Sequence, residues 1–296
     1  MTETTGREAK TIHRLLEYGG SEGDGFFQKD EDDPLTADAV IVDEMSMVDI
    51  ILMNNLLKAI AIGTRFIMVG DSDQLPSVGP GNVLRDIIES GIIKVVRLDE
   101  IFRQAGESMI VLNAHRINRG EYPMLNVEDK DFFIDRREDG EDILNTVIDL
   151  TVNRLPGYMS LDPHQDIQIL APMRKGAIGV NNLNRVLQSV LNPPSEEKPE
   201  RQFRDIVFRE GDKAMQIRNN YNLEWIVRIG DRTIEEGEGI FNGDTGFIQS
   251  IDLEAQSLTV IFEDSKEVEY DFSQLDELEL AYAISIHKSQ GSEFPV

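Results

Sequence analysis

Residues 39–81 of this chain read AVIVDEMSMVDIILMNNLLKAIAIGTRFIMVGDSDQLPSVGPG. The pattern predicts an apolar strand that ends at Asp43 and Glu44, then a helix, then a second apolar strand that ends at Gly70. A polar loop that carries Gln74 follows the second strand. Continuous apolar runs are typical of buried parallel strands, and open α/β sheets place their chemistry at the carboxyl ends of such strands. We therefore predict an α/β fold with these acidic residues at the functional edge of a sheet.

The acidic pair has the residue types that phosphoryl transfer requires. That reaction needs a carboxylate near Mg²⁺ and a group that activates or orients the attacking water. In this interpretation Asp43 holds the metal, Glu44 is the base, and Gln74 contacts a nucleotide γ-phosphate. A second apolar run, residues 94–100 (KVVRLDE), also ends in Asp and Glu. Because an isolated pair of this kind is usually a solvated surface feature, only the combination of strands, helix and loop favours the first pair.

These residues resemble motifs of superfamily 1 DNA helicases of the RecD-like branch, which contains the exodeoxyribonuclease V alpha subunit. Asp43 and Glu44 are similar to the family's Walker B motif, and the segment from Gly70 to Pro76 is similar to its third motif. The resemblance implies RecA-like P-loop NTPase motor domains, with a small SH3-like β-barrel inserted in the second. It also implies an ATP- and Mg²⁺-dependent helicase that moves 5′ to 3′ along single-stranded DNA in recombination and repair.

Three further segments resemble family motifs. Residues 102–104 (FRQ) are similar to the fourth motif, whose arginine reaches the γ-phosphate, and this implies that role for Arg103. Residues 285–294 (SIHKSQGSEF) are similar to the fifth, whose glutamate contacts the nucleotide ribose, and this implies that role for Glu293. Residues 5–18 resemble a DNA-contacting segment. Contacts with single-stranded DNA are implied for Thr11, His13, Pro76, Val78, Arg174, His287, Lys288 and Ser289.

The sequence departs from the family in two places. It contains no G-x-x-x-x-G-K-[ST], the loop whose backbone amides, lysine and hydroxyl hold the phosphates and Mg²⁺. It also ends at Val296, before the family's sixth motif. We therefore expect an internal fragment of a longer motor protein, and we expect the fragment to hydrolyse no ATP by itself.

Composition is consistent with a cytoplasmic protein of about two domains. The chain has 296 residues and no cysteine, which excludes disulfides and thiol nucleophiles. We find no apolar run of ~18 residues and no signal peptide, so no membrane contact is expected. The chain has 29 basic and 55 acidic residues, which gives a net charge of −26. A protein that bound DNA through its overall charge would need the opposite sign. Much of the excess lies in residues 231–279, which contain 15 acidic and two basic residues.

We predict three regions along the chain. Residues 1–128 form a partial first motor domain, and residues 129–211 together with 275–296 form a partial second one. From residue 212 onward, short alternating runs broken by Gly and Asp favour a small antiparallel barrel or curled sheet. The family resemblance identifies this region, residues 212–274, as the SH3-like insertion.

The second motor domain has its own predicted elements. We predict strands at Phe132–Ile134 and within residues 167–176 (IQILAPMRKG), followed by a helix over Val180–Leu191 that stops before two prolines. Arg174 and Lys175 follow the second of these strands, at the carboxyl end where the fold favours ligand contact. Single-stranded DNA is the ligand that the resemblance implies there.

Two other functions compete with a helicase. The chain could belong to a P-loop NTPase of another kind, which the GDSDQLPSVGPG and SIHKSQGSEF segments argue against. It could also be a non-catalytic module for DNA binding or assembly, which the combination of Asp43, Glu44, Gln74 and Arg103 disfavours for the parent protein. The resemblance further implies nuclease and helicase subunits of an exodeoxyribonuclease complex as partners.

Overall fold

The computed structural model describes residues 5–7, 9–19, 26–98, 108–128, 130–230 and 232–296. The chain divides into two compact units, Met1–Asp135 and Arg136–Val296, and each has its own apolar core. Within the described ranges, no helix combines the length and the apolarity that crossing a membrane would require.

The first unit alternates helices and strands. Its main described elements are α1 (Ile12–Leu15), β1 (Tyr18–Gly19), β2 (Phe26–Phe27), β3 (Ala39–Val42), α2 (Ile50–Ala59), β4 (Arg65–Met68), α3 (Val83–Ser90) and α4 (Met109–Asn118). Strands β1 and β2 pair antiparallel, whereas β3 and β4 pair in parallel with α2 as the crossover. The strand, helix and parallel strand predicted from residues 39–81 are therefore confirmed.

This parallel pair rests on the first core. Val40 and Val42 are buried, and Ile41 between them points the other way and is exposed. Helix α2 begins after Asp49, whose side chain accepts a hydrogen bond from the Leu52 backbone N–H at 2.7 Å, a typical N-cap. One turn further on, Leu56 is fully buried. The helix is thus anchored on the same core as the strands it connects.

The strand predicted at Phe132–Ile134 is wrong, since these residues are irregular in the structure. The backbone of Ile134 pairs with a side chain instead of a neighbouring strand. Its N–H donates to Asn126 Oδ1 at 2.9 Å, and its carbonyl accepts from Asn126 Nδ2 at 3.2 Å. An asparagine amide can satisfy a peptide group as a strand would, so an apolar tripeptide alone does not determine a strand.

The second unit begins with α/β structure. Its elements here are α5 (Gly140–Asp149), α6 (Leu155–Met159), β5 (Ile169–Ala171) and α7 (Val180–Leu191), with β15 (Ala283–Ser285) near the end of the chain. A π-helical turn, Leu150–Arg154, joins α5 to α6. Strands β5 and β15 pair in parallel. The strand predicted within residues 167–176 and the helix predicted over Val180–Leu191 are confirmed.

Antiparallel structure fills most of the chain between α7 and β15. A hairpin of β6 (Glu200–Phe203) and β7 (Ile206–Arg209) precedes a seven-stranded sheet. The strands of this sheet are β8 (Lys213–Gln216), β9 (Asn220–Ile229), β10 (Arg232–Ile240), β11 (Thr245–Asp252), β12 (Ser257–Phe262), β13 (Glu267–Asp271) and β14 (Leu278–Leu280). Their order is β10-β9-β13-β12-β11-β8-β14, with every neighbouring pair antiparallel. The antiparallel region predicted from residue 212 is thus confirmed.

A buried carboxylate connects the sheet to α7. Asp212 is fully buried and accepts hydrogen bonds from Gln188 Nε2 at 2.6 Å, Asn192 Nδ2 at 2.7 Å and the Tyr282 hydroxyl at 3.0 Å. The backbone N–H of Arg209 donates to it at 2.7 Å. Burial raises the pKa of Asp212, while these donors favour its ionised form. The network determines how the segment leading to β15 lies on α7.

A second buried amide orients β15 itself. Asn184, on α7, donates to the carbonyls of Leu280 at 2.8 Å and Ala283 at 2.9 Å, and its Oδ1 accepts from the Ala283 N–H at 2.8 Å. Because all three bonds are buried, losing them would leave unpaired polar groups in the core. The residues that follow β15 therefore leave the sheet from a fixed position.

Candidate functional site

The parallel register of β3 and β4 brings two functional segments to one edge of the sheet. Beyond the last paired residues, the Val69 N–H donates to the Val42 carbonyl at 2.8 Å, and the Met45 N–H donates to the Val69 carbonyl at 3.0 Å. The acidic pair immediately precedes Met45, and Gly70 opens the loop that carries Gln74. The two segments that the sequence analysis singled out are therefore neighbours in space.

Asp43 and Glu44 are both exposed at this edge. Glu44 adopts the left-handed conformation, with φ 53° and ψ 41°, which is uncommon for a residue with a side chain. Its backbone N–H donates to Asp43 Oδ1 at 3.0 Å. A short 3₁₀ turn, Met45–Met47, follows at once. Strained backbone of this kind is often found at functional sites, where the surrounding structure holds it in place.

Gly70 allows the two segments to approach each other. A Cβ built at this residue would lie 2.9 Å from the Met45 backbone nitrogen and 3.1 Å from a Leu84 methyl. After it, the Asp73 N–H donates to Asp71 Oδ1 at 2.9 Å, which turns the chain toward Gln74. The Gln74 side chain is exposed. The arrangement leaves an amide and two carboxylates accessible at the same sheet edge.

The rest of the loop packs on the start of α2. The Ile50 N–H donates to the Pro80 carbonyl at 2.9 Å, and a Cβ on Gly79 would lie 2.0 Å from Asp49 Oδ2. Pro76 is exposed, and Val78 is 87% exposed. An exposed apolar tip on an anchored loop is compatible with the predicted DNA contact of these two residues, which stays a prediction.

Thr11 and His13 have local structural roles. The Thr11 hydroxyl accepts from the Arg14 N–H at 3.2 Å and caps α1. The half-buried His13 ring lies 5.5 Å from the Tyr18 ring and 5.7 Å from the Phe27 ring, measured between centroids. These contacts account for both residue types without a ligand. The DNA contacts predicted for them remain predictions.

Arg103, the predicted transition-state arginine, lies outside the described residues, as does the second Asp-Glu pair at residues 99 and 100. Their positions relative to the acidic pair at β3 are therefore expectations from the sequence alone.

In the second unit, Arg174 and Lys288 line one small pocket together with Glu279 and Ser285. Arg174 follows β5 and forms an ion pair with Glu279, which lies on β14. Lys288, in the turn after β15, donates to Asn242 Oδ1 at 3.1 Å. Parallel pairing of β5 with β15 thus places two predicted DNA-binding cations side by side.

The other predicted residues of the fifth motif lie in or after the same turn, Ile286–Ser289. His287 is exposed, and the Ser289 hydroxyl donates to the Ile286 carbonyl at 2.8 Å. Glu293 is exposed and lines a separate cavity of about 390 Å³. None of these positions tests the roles that the sequence predicts.

Magnesium is the metal that the acidic pair would hold. The described residues contain no group of three or more His, Asp or Glu side chains that could hold a metal. Asp43 fits Mg²⁺, because this ion commonly takes one or two protein carboxylates and completes its shell with water and phosphate oxygens. Of the two carboxylate oxygens of Asp43, Oδ1 accepts a hydrogen bond from the described residues and Oδ2 accepts none, so Oδ2 is available to a metal ion.

Comparison with known proteins shows what the chain is similar to. Residues 1–80 match the model of an AAA domain, and residues 183–262 match that of the ATP-dependent RecD-like DNA helicase SH3 domain. The ATP-dependent RecD2 DNA helicase of Deinococcus radiodurans is 35% identical over 99% of this chain. The chain is a relative of the RecD-like helicases. The RecBCD enzyme subunit RecD of Mycobacterium tuberculosis is 28% identical over 96% of the chain.

The chain spans 36% of the length of the Deinococcus relative and 48% of the length of the Mycobacterium relative. Among solved structures, the Pif1 helicase from Bacteroides in complex with ADP-AlF3 and ssDNA covers 96% of this chain and 71% of its own. Its TM-score is 0.42 at 18% identity, and this likeness supports no further conclusion.

Two residues near the predicted sites carry no clear signal in the sequence. Glu279 belongs to an acidic run, DELEL, that carries no sign of its ion pair with Arg174. Lys213 is 6% exposed and lines the same cavity as Glu293, and burial lowers the pKa of its amine. Within the described ranges no acceptor is recorded for that amine. The sequence signal for its burial is weak, since Ala214 and Met215 follow Lys213 in the strand but Gln216 ends it.

Proposed function

We propose that this chain is the part of an ATP-dependent RecD-like DNA helicase that carries its hydrolytic acids and a path for single-stranded DNA. The supporting observation is the edge of the β3 and β4 pair. There the segment of Asp43 and Glu44 is hydrogen-bonded to the segment that leads to Gln74, through Met45 and Val69. This is the arrangement of carboxylates and a neutral amide that nucleotide hydrolysis requires.

Each group has a distinct task in this proposal. Asp43 would hold Mg²⁺, which neutralises charge on the phosphates of bound ATP. Glu44 accepts the proton of the attacking water. The Gln74 amide N–H donates to an oxygen of the γ-phosphate, so the side chain responds to whether that phosphate is present. Arg103 stabilises charge on the transferred group through its guanidinium.

The chain itself contains no P-loop sequence, so we propose that these 296 residues alone hydrolyse no ATP. Hydrolysis belongs to a full-length protein that carries them, which we propose to move 5′ to 3′ along single-stranded DNA in recombination and repair. The M. tuberculosis relative is described as a subunit of the RecBCD enzyme. Nuclease and helicase subunits are accordingly the partners that we propose.

Strand-displacement assays on the full-length protein test this function. We expect it to unwind a duplex with a 5′ single-stranded tail when ATP and Mg²⁺ are present, and to leave a duplex with a 3′ tail paired. The 296-residue chain should bind single-stranded DNA and show no DNA-stimulated ATP hydrolysis. If the full-length protein bound DNA but neither hydrolysed ATP nor unwound either duplex, the non-catalytic binding module would be the correct function.

A further inference from the structure

The ion pair between Arg174 and Glu279 involves a cation that is predicted to contact DNA. Arg174 Nη2 donates to Glu279 Oε1, and the side chains are 58% and 28% exposed respectively. A guanidinium presents its N–H groups as a fork that matches carboxylate and phosphate oxygens equally well. Glu279 therefore occupies part of the arginine's surface that a DNA phosphate would need.

The surroundings of the pair are suited to a phosphate. Arg174, Lys288 and Ser285 line the same small pocket as Glu279, so two cations and a hydroxyl face one opening. The pocket lies where the parallel strands β5 and β15 end, an edge at which α/β sheets bind their ligands. Apolar residues from α7, β8, β14 and β15 form its remaining wall.

We propose that Arg174 and Lys288 form a single site for one backbone phosphate of single-stranded DNA, and that the Glu279 carboxylate competes with this phosphate for Arg174. The inference rests on the proposed function, because it assumes that the DNA path crosses this edge. DNA binding exchanges one oxyanion for another at the guanidinium. Since the arginine is never left without an anion, the site releases a phosphate more readily than two unpaired cations would.

Easy release is useful to a motor that must exchange phosphates as it steps. The same competition lowers the equilibrium affinity of the site for single-stranded DNA. Removing the carboxylate should therefore tighten binding by about twofold to fivefold, the range expected for an exposed ion pair. The effect should depend on Arg174, since Glu279 acts by occupying that side chain.

A matched pair in the same unit separates this competition from a general charge effect. Arg218 and Asp276 form an ion pair of 2.8 Å with side chains 51% and 27% exposed, almost the same as the Arg174 and Glu279 pair. Asp276 lies three positions before Glu279 in the sequence but does not line the pocket. Asp276→Asn thus removes the same charge from a similar environment without freeing Arg174.

The test is a double-mutant cycle on the 296-residue chain. Affinity for a fluorescent oligothymidylate of about 20 nucleotides, long enough to cover a single-strand site, is measured by anisotropy at one salt concentration. The variants are Glu279→Gln, Arg174→Gln, their combination, Lys288→Gln and Asp276→Asn. We expect Glu279→Gln to tighten binding in the wild-type background and to have no effect in the Arg174→Gln background. Asp276→Asn should leave the affinity within error of the wild type.

Different failures have different meanings. Equal tightening by Glu279→Gln in both backgrounds, or equal tightening by Asp276→Asn, would overturn the competition and leave only bulk charge. Loss of affinity in Arg174→Gln and Lys288→Gln with no change in Glu279→Gln would overturn the competition but support the DNA path. If neither cation variant weakened binding, or if the chain bound no DNA at all, the DNA path in the proposed function would fail as well. Thermal unfolding of each variant checks that it is folded.

Discussion

At the scale of single residues, two carboxylates adjacent in sequence have different environments. Asp43 accepts one hydrogen bond, from the backbone N–H of its neighbour, whereas Glu44 has a left-handed backbone. A division of tasks between the two carboxylates needs such a difference, because a metal ligand and a general base must not compete for one position.

The first residue-scale prediction concerns the base. In the full-length protein, Glu44→Gln keeps the size and hydrogen bonding of the side chain but removes its ability to accept a proton. ATP and DNA binding should persist while DNA-stimulated turnover falls by ~10² or more. Steady-state hydrolysis and equilibrium binding are measured side by side. Asp99→Asn, in the second Asp-Glu pair, is the control and should keep its turnover, and near-normal turnover of Glu44→Gln would refute the assignment.

The second residue-scale prediction concerns Lys213. Burial lowers the pKa of the Lys213 amine in the folded state. The charged amine therefore destabilises the folded protein at every pH below that lowered pKa. The penalty fades as the pH rises from the lowered pKa toward 10.5, above which neither state is charged. Lys213→Met should therefore stabilise the chain by about 1–3 kcal/mol at neutral pH and lose this alkaline rise.

Urea unfolding across pH measures both effects of Lys213→Met. Lys175→Met is a suitable control, since Lys175 is exposed and precedes α7. It should leave the stability at neutral pH unchanged. A destabilised Lys213→Met variant would show that the amine has a favourable partner.

At the scale of elements, the position of the acidic pair depends on how closely the ends of β3 and β4 approach. Gly70 makes this approach possible, since any side chain there would meet the backbone of Met45. The neighbouring loop has similar close contacts with the start of α2 through Gly79. The geometry of the candidate site is therefore set by backbone packing between two strand ends as much as by the acids themselves.

The element-scale prediction is that Gly70→Ala destabilises the chain by about 1–3 kcal/mol, the usual cost of overpacking. The added methyl would lie 2.9 Å from a backbone nitrogen that cannot move without breaking its bond to the Val69 carbonyl. Gly157→Ala on α6 is the control, because a Cβ there meets no atom within 4 Å. It should be neutral or slightly stabilising. Chemical denaturation of both variants measures the difference, which would be absent if the strand ends were loosely packed.

At the scale of the whole molecule, charge and proposed function point in opposite directions. The net charge of −26 should repel DNA, yet the second unit brings Arg174 and Lys288 together in one pocket. Two cations placed together can bind a phosphate despite an unfavourable net charge. The reason is that salt screens charges more than about 10 Å apart far more than it screens charges in direct contact.

The whole-molecule prediction follows from this contrast. Binding of single-stranded DNA to the 296-residue chain should weaken as salt rises, with a shallow slope that corresponds to a few phosphate contacts. Homopolymers of different bases should lose affinity in parallel. Titrations at several salt concentrations give the slope, and Lys288→Ala should reduce it by about one contact. Affinity that increased with salt would exclude a phosphate-directed path.

The amino-acid sequence by itself determined the class of fold and the family. Apolar runs and their spacing depend on neighbours within one turn or strand, so they predicted the strand-helix-strand unit at residues 39–81, the limits of α7 and the change to antiparallel structure after residue 212. The same local signals gave a wrong strand at Phe132–Ile134, where the side chain of Asn126, eight positions before Ile134, satisfies the backbone. The motifs named the candidate residues, whose roles remain proposals.

Only the tertiary structure decided which of these residues meet. Arg174 and Glu279 are 105 positions apart, and the buried bonds between Asn184 and the residues around β15 connect groups separated by nearly as many. Such contacts follow from the pairing of β5 with β15 and of β14 with β8, which no local pattern specifies. Lys213 was likewise recognisable as a lysine in a strand, but its burial depends on what the rest of the sheet places over it.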